Sequence, residues 1–148
     1  MSKKNFILTF LILFFGVTQV YSKVTFKEVR TASDNVIVAF FTSDTVNIEE
    51  IGTADLTLWK INGQPIKSIN KYVMQANKCN HHVYLETDKL AKGKKYKIET
   101  PFGTREFTFN DKEIFCESIK TNQIGYSAFS KIRYANFEIW LGTGGSRK

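Results

Sequence analysis

Leu56-Thr57-Leu58-Trp59-Lys60-Ile61-Asn62-Gly63-Gln64-Pro65-Ile66-Lys67-Ser68-Ile69 holds two short apolar runs separated by Asn-Gly. Asn-Gly accepts the two positive φ angles of a type I′ turn, so the stretch predicts a β-hairpin closed at Asn62-Gly63. Pro65 has no amide hydrogen and belongs at a strand start or on a sheet edge. The same rhythm runs outward on both sides. From Val24 onward, apolar residues alternate or come in short runs bounded by turn residues, and none keeps a 3.6-residue period over about 11 positions. Strands are predicted at 24–30, 36–41, 56–61, 64–69, 82–87, 95–100 and 105–110. Pro101-Phe102-Gly103 supplies a second hairpin turn and Lys89 to Gly93 the connection before it, while 44–55 reads as a short helical turn or an irregular crossover between two sheets. Short strands at this spacing predict an all-β protein, an immunoglobulin-like or fibronectin-like β-sandwich.

The chain ahead of the strands has another character. Lys3 and Lys4 precede an apolar run at 6–17 broken only by Thr9 and Gly16, and Val20-Tyr21-Ser22 puts tolerable residues before a cut at Lys23. This is the plan of a signal peptide, expected as a helix over 1–22. A spanning helix needs about 20 apolar residues, more than this run supplies, so no stable membrane insertion is expected after cleavage. No cysteine stands near the cut to carry a lipid anchor. The mature chain is expected to be secreted, or periplasmic or at the cell surface. Removing 22 of 148 residues leaves 126, and the loss of Lys3 and Lys4 takes the net charge from +7 to +5. The remaining lysines are dispersed except at Lys92-Gly93-Lys94-Lys95, which reads as a solvated loop tip, and no nucleic-acid partner is expected. Cys79 and Cys116 both fall in the exported part, so they are either a disulfide or two separate thiols. A bridge across that span would stabilise the fold by roughly 4 kcal/mol on the chain-entropy model.

Asn110-Asp111-Lys112-Glu113 is polar and follows the seventh strand, which sets a domain boundary after residue 112. The chain thus divides into a signal peptide (1–22), a first sandwich (23–112) and a further unit (113–148). In the last, 114–120 reads as an extended lead-in and 131–141 as a strand rich in Ile, Tyr, Phe and Trp.

Between them lies Ile119-Lys120-Thr121-Asn122-Gln123-Ile124-Gly125-Tyr126. It resembles the opening of the immunoglobulin-like domain that precedes the catalytic barrel in family nine glycoside hydrolases (cellulase-type) and related polysaccharide-degrading enzymes. Asn122, Gln123, Gly125, Tyr126 and Lys131 carry the resemblance. The chain departs from the family at Ser127 to Ser130, where a proline is usual, and at Trp140-Leu141-Gly142-Thr143-Gly144-Gly145, which points to another branch of polysaccharide-active enzymes. The resemblance implies that 113–148 holds the first strands of a second β-sandwich, incomplete here. It also implies a partner in a downstream catalytic domain of the same polypeptide, a glycoside hydrolase for which this chain is the N-terminal part.

No constellation for chemistry stands out. A glycosidase needs two carboxylates held about 5 to 10 Å apart, and Glu49 with Glu50, or Asp111 with Glu113, sit in loops without a surrounding signature. His81 and His82 are the only histidines, and neighbours on a strand point to opposite faces, so a metal shared by both, or by them and Cys79, is disfavoured. No catalytic residue, metal ligand or cofactor is assigned. Gly142-Thr143-Gly144-Gly145 lacks the Lys-Ser/Thr of a phosphate loop and reads as a turn. Trp59, Tyr72, Tyr84, Tyr96 and Trp140 are able to stack on sugar rings, although aromatics in a sandwich usually fill the core, the favoured place for Trp59. The leading expectation is a non-catalytic module of a secreted polysaccharide-degrading enzyme. The second is a free-standing carbohydrate-binding or adhesive surface module, with Trp59 and Trp140 as the candidate contacts.

Overall fold

The computed structural model describes residues 24–44, 52–121 and 127–147. The expected signal peptide, most of the 44–55 crossover and Asn122, Gln123, Gly125 and Tyr126 lie outside the described residues. What is described is antiparallel β-structure with two short 3-10 turns and no α-helix among the described residues.

Two four-stranded sheets carry the fold. The first joins β1 (Thr25–Ser33), β2 (Val36–Ser43), β6 (Cys79–Glu86) and β5 (Ser68–Gln75) in the order β1-β2-β6-β5. The second joins β4 (Gln64–Pro65), β3 (Lys60–Ile61), β7 (Lys95–Thr100) and β8 (Gly103–Thr108) in the order β4-β3-β7-β8. One apolar core is shared between them. Phe26, Ile37, Ala39, Phe41, Val83 and Leu85 from the first sheet meet Ile61, Tyr96 and Ile98 from the second, with Trp59 from the turn just before β3. Alternation explains the choice: Ile37, Ala39 and Phe41 are two apart on β2 and share one face, leaving Val38 and Phe40 on the other.

The Asn62-Gly63 hairpin forms as the sequence predicts. Lys60 pairs with Pro65 and Ile61 with Gln64, and the two turn residues have φ of 51° and 75°. Asn62 also locks the turn to β7, its side-chain oxygen accepting the Lys97 amide at 2.8 Å. Pro65 stands on the edge strand β4, where its missing donor leaves no ladder bond unmade. Thr100 pairs with Gly103, so Pro101-Phe102 closes the other expected hairpin.

Two predicted strands are broken by local chemistry. Leu56–Leu58 is a 3-10 turn because the Asp55 carboxylate accepts the Thr57 amide at 2.9 Å and its hydroxyl at 2.6 Å, caps that favour a turn over a ladder. Leu56 and Leu58 therefore stay exposed, and pairing starts only at Lys60. Residues 64–69 likewise do not run as one strand. The chain leaves the second sheet after Pro65, buries Ile66, and enters the first sheet at Ser68, the Lys67 amide bonding the Glu86 carbonyl at 2.9 Å.

Trp59 is wholly buried, edge-to-face with Phe41 at 5.9 Å, and its indole N–H donates to the Gly52 carbonyl at 3.0 Å. Trp59→Phe removes that bond and part of the ring volume. It should lower stability by about 1.5–3 kcal/mol, read as a lower urea midpoint with an unchanged slope.

Of the two alternatives left open for Cys79 and Cys116, the structure has two separate free thiols. Cys116 bridges Thr31, whose neighbours across the sheet are Ile37 and then Leu85. Cys79 lies six residues back along β6 from Leu85, about 20 Å at the rise of a strand, against the roughly 7 Å within which Cα atoms can be bridged.

The segment read as the start of a second unit lies on the outer face of the first sheet. β9 (Ile119–Thr121) pairs with β10 (Ala135–Phe137), and β11 (Ile139–Trp140) with β12 (Ser146–Arg147). The exposed edge of β1 is covered in the process: the Thr31 amide bonds the Phe115 carbonyl at 2.9 Å, and its carbonyl accepts the Glu117 amide at 2.7 Å.

Candidate functional site

The outer face of the first sheet presents Arg30 from β1, Val38 and Phe40 from β2, His82 and Tyr84 from β6, and Tyr72 and Met74 from β5. All follow from the register that turns Ile37, Phe41 and Leu85 inward. The 113–147 segment lays Glu117, Trp140 and Leu141 across this face. Leu141 is fully buried among Ala32, Val36, Val38 and Tyr84. Gly142–Gly144 forms a 3-10 turn against β5, where the Thr143 hydroxyl oxygen accepts the Lys71 amide at 3.1 Å. The glycine-rich stretch is a turn, as the sequence reading has it.

Glu117 is the hub. Its Oε1 accepts from Arg30 Nη1 at 3.0 Å and lies 2.8 Å from His82 Nδ1, while Oε2 accepts the Tyr84 hydroxyl at 3.3 Å. The Glu117 and His82 side chains are only 12% and 10% exposed, so these are largely dehydrated contacts. Burial by itself raises the Glu117 carboxyl, but hydrogen bonds and charge from His82 and Arg30 outweigh it and hold the group below its ordinary value. The same burial, together with the Glu117 charge, drives the Tyr84 phenol well up, so it stays a neutral donor. Arg30 has three further contacts. Its guanidinium lies 4.3 Å from the Phe40 ring centre and 5.1 Å from that of Phe115, and it pairs with Glu28.

Beside this charged floor runs a cleft of about 290 Å³, lined by Tyr72, Met74, Phe115, Ile119, Lys120 and Trp140 together with the floor residues. A second hollow of about 210 Å³ shares Tyr84, Glu117, Lys120 and Trp140 and adds Glu138. Tyr72 and Trp140 meet at 4.6 Å with their planes 73° apart, an L-shaped aromatic corner. His82 forms part of the lining, its ring edge-on to Phe40 at 5.0 Å, and its Nε2 has no hydrogen-bond partner among the described residues.

The candidate residues from the sequence separate sharply. Trp59 is core, and Trp140, 43% exposed, is in the cleft. Lys131 is exposed, away from the cleft lining, and the rest of the Asn122 to Tyr126 motif lies outside the described residues. His81 and His82 diverge, His81 meeting the Ser43 hydroxyl at 2.6 Å and His82 meeting Glu117. Among the described residues no three His, Cys, Asp or Glu side chains gather in a metal-binding group. Sequence reasoning missed Arg30, Glu117 and Lys120. The signal available was that His82 and Tyr84, two apart on one strand, make its outer face polar and call for a partner.

A scan of family models, a search of curated proteins and a search of solved structures each returned no match to this chain.

Proposed function

We propose that this chain is a non-catalytic, immunoglobulin-like β-sandwich module of a secreted polysaccharide-degrading protein. The strand order supports the fold assignment. Labelled A, B, C, C′, D, E, F and G in chain order, the sheets β1-β2-β6-β5 and β4-β3-β7-β8 become ABED and C′CFG, the immunoglobulin arrangement with one added strand.

One observation carries the functional reading. The residues on both sides of the Asn122 to Tyr126 motif are pinned to the sandwich, by Cys116 and Glu117 before it and by Leu141 and Arg147 after it. Holding the chain at 116–117 and again at 141–147 suits a module that ties parts of one polypeptide together. The motif's resemblance to polysaccharide-degrading enzymes supplies the biological setting, and a signal peptide agrees with it. Purified residues 23–148 should release no reducing sugar from cellulose, xylan or pectin derivatives, and sustained release would overturn the reading. Sequencing the coding DNA beyond Lys148 tests the parent enzyme: an open frame into a domain with paired carboxylates is expected, and a stop codon followed by unrelated sequence counts against it.

A free-standing carbohydrate-binding or adhesive module is the second reading, favoured by the exposed Tyr72–Trp140 corner.

A further inference from the structure

We infer that the cleft between β5, β6 and the 113–147 segment binds a neutral pyranose unit of a glycan. This site rests on the polysaccharide reading of the module and gives the module a ligand of its own.

A pyranose ring has apolar C–H faces and a rim of hydroxyls, so it fits where an aromatic face stands beside separate hydrogen-bonding groups. The cleft has that form. Trp140 and Tyr72 are 43% and 37% exposed and meet nearly at right angles, so a ring stacked on one abuts the other. Lys120 and Glu138 flank Trp140, one a donor and the other an acceptor. Neither has an ion-pair partner among the described residues. The two hollows share Tyr84, Glu117, Lys120 and Trp140, and the larger, about 290 Å³, lies at the lower end of small-ligand sites, about 300 Å³.

Charge selects a neutral sugar over an acidic one. Arg30 is already engaged by Glu28 and Glu117, so it is not available to a ligand carboxylate. Across the two hollows Arg30 and Lys120 are matched by Glu117 and Glu138, so an incoming uronate finds no surplus positive charge. A neutral ring has hydroxyls for both signs and introduces no charge to be dehydrated.

The floor explains why the corner is rigid enough to select. His82 lies 5.9 Å from Tyr72 and is itself held by Glu117, so the ring that forms one arm of the corner rests on a fixed base.

Affinity electrophoresis of residues 23–148 in gels containing hydroxyethyl cellulose, xylan, galactomannan or polygalacturonate is the first test. Retardation is expected in at least one neutral polymer and not in polygalacturonate. Trp140→Ala should weaken the retardation constant tenfold or more, and Lys120→Ala, an exposed position whose side chain has no ion pair among the described residues, about threefold. Trp59→Phe leaves Trp140 as the only tryptophan and reports occupancy directly. Titration with a hexasaccharide of the retarding polymer should shift its emission and protect it from acrylamide quenching. No retardation in any neutral polymer, retardation in polygalacturonate alone, or full binding by Trp140→Ala and Lys120→Ala together would each overturn the site. Such a result leaves the non-catalytic module intact, since that reading falls to sugar release instead.

Discussion

Replacing Gly142 by valine is expected to strip residues 135–147 from the first sheet. A Cβ at this position would stand 2.2 Å from the Lys71 carbonyl oxygen, 2.6 Å from the Lys71 carbonyl carbon and 2.8 Å from the Tyr72 Cβ. The first two are backbone atoms of β5, so no rotamer change relieves the contact. The residue also has φ of 62°, where a β-branched side chain is strained whatever space surrounds it. Steric and conformational penalties together reach about 3 kcal/mol or more. The turn must lift, carrying Leu141 out of its pocket among Ala32, Val38 and Tyr84 and opening the Tyr72–Trp140 corner. Amide hydrogen exchange should accelerate at 135–147 and along the β1 edge near Thr31, while Ile37, Val83 and Ile98 in the core stay protected. Gly145→Ala is the control. Gly145, at φ of 69° and ψ of −165°, also sits where alanine is strained, but nothing lies within 4 Å of the added carbon, so it should lose only the conformational part, about 1–3 kcal/mol, with exchange at 135–147 less affected than in Gly142→Val. Equal exchange in the two variants would mean that close approach to β5 does not hold the segment down.

The difference between these two glycines marks where the sequence stops being informative. Asn62-Gly63 is legible because hairpin closure depends on two residues and their own φ angles. The Gly142 to Gly145 stretch reads as a turn for the same reason, yet the need for glycine at 142 comes from Lys71, far away in the chain. Strand ends follow the same division. Alternation finds 36–41 and 95–100, but β5 runs on through Asn70, Lys71 and Tyr72 to Gln75 because β6 offers a partner, which no local pattern announces. The Asp55 cap worked the other way, turning an apolar run into a 3-10 turn. At the site, the sequence favoured the core for Trp59 and left the place of Trp140 open. Only the register of two sheets sends one into the core and the other to the surface. Glu117 was invisible for a further reason: its role comes from where the chain returns after β8, and its neighbours Cys116 and Ser118 have no motif character.

Glu117→Ala should be the most damaging single change on the outer face. It leaves the Arg30 guanidinium and the His82 ring facing a largely dehydrated space that was built around a carboxylate, a loss of about 3–5 kcal/mol for a buried pair broken on one side. The double substitution Arg30→Met with Glu117→Met removes both charges and should recover much of that loss, because the penalty lies in the orphaned charge more than in the missing attraction. Acidification gives an independent handle. The folded Glu117 carboxyl sits below its ordinary value of 4.5, so its contribution is fully present above that value and disappears as the pH falls through the lower, folded one. Other lowered carboxylates, Glu86 and Asp88 among them, also weaken the fold in acid, so the diagnostic quantity is a difference. The stability gap between wild type and Glu117→Gln should close as the pH drops below about 5. A gap that persists undiminished to pH 3 would mean that Glu117 acts through its shape and not its charge.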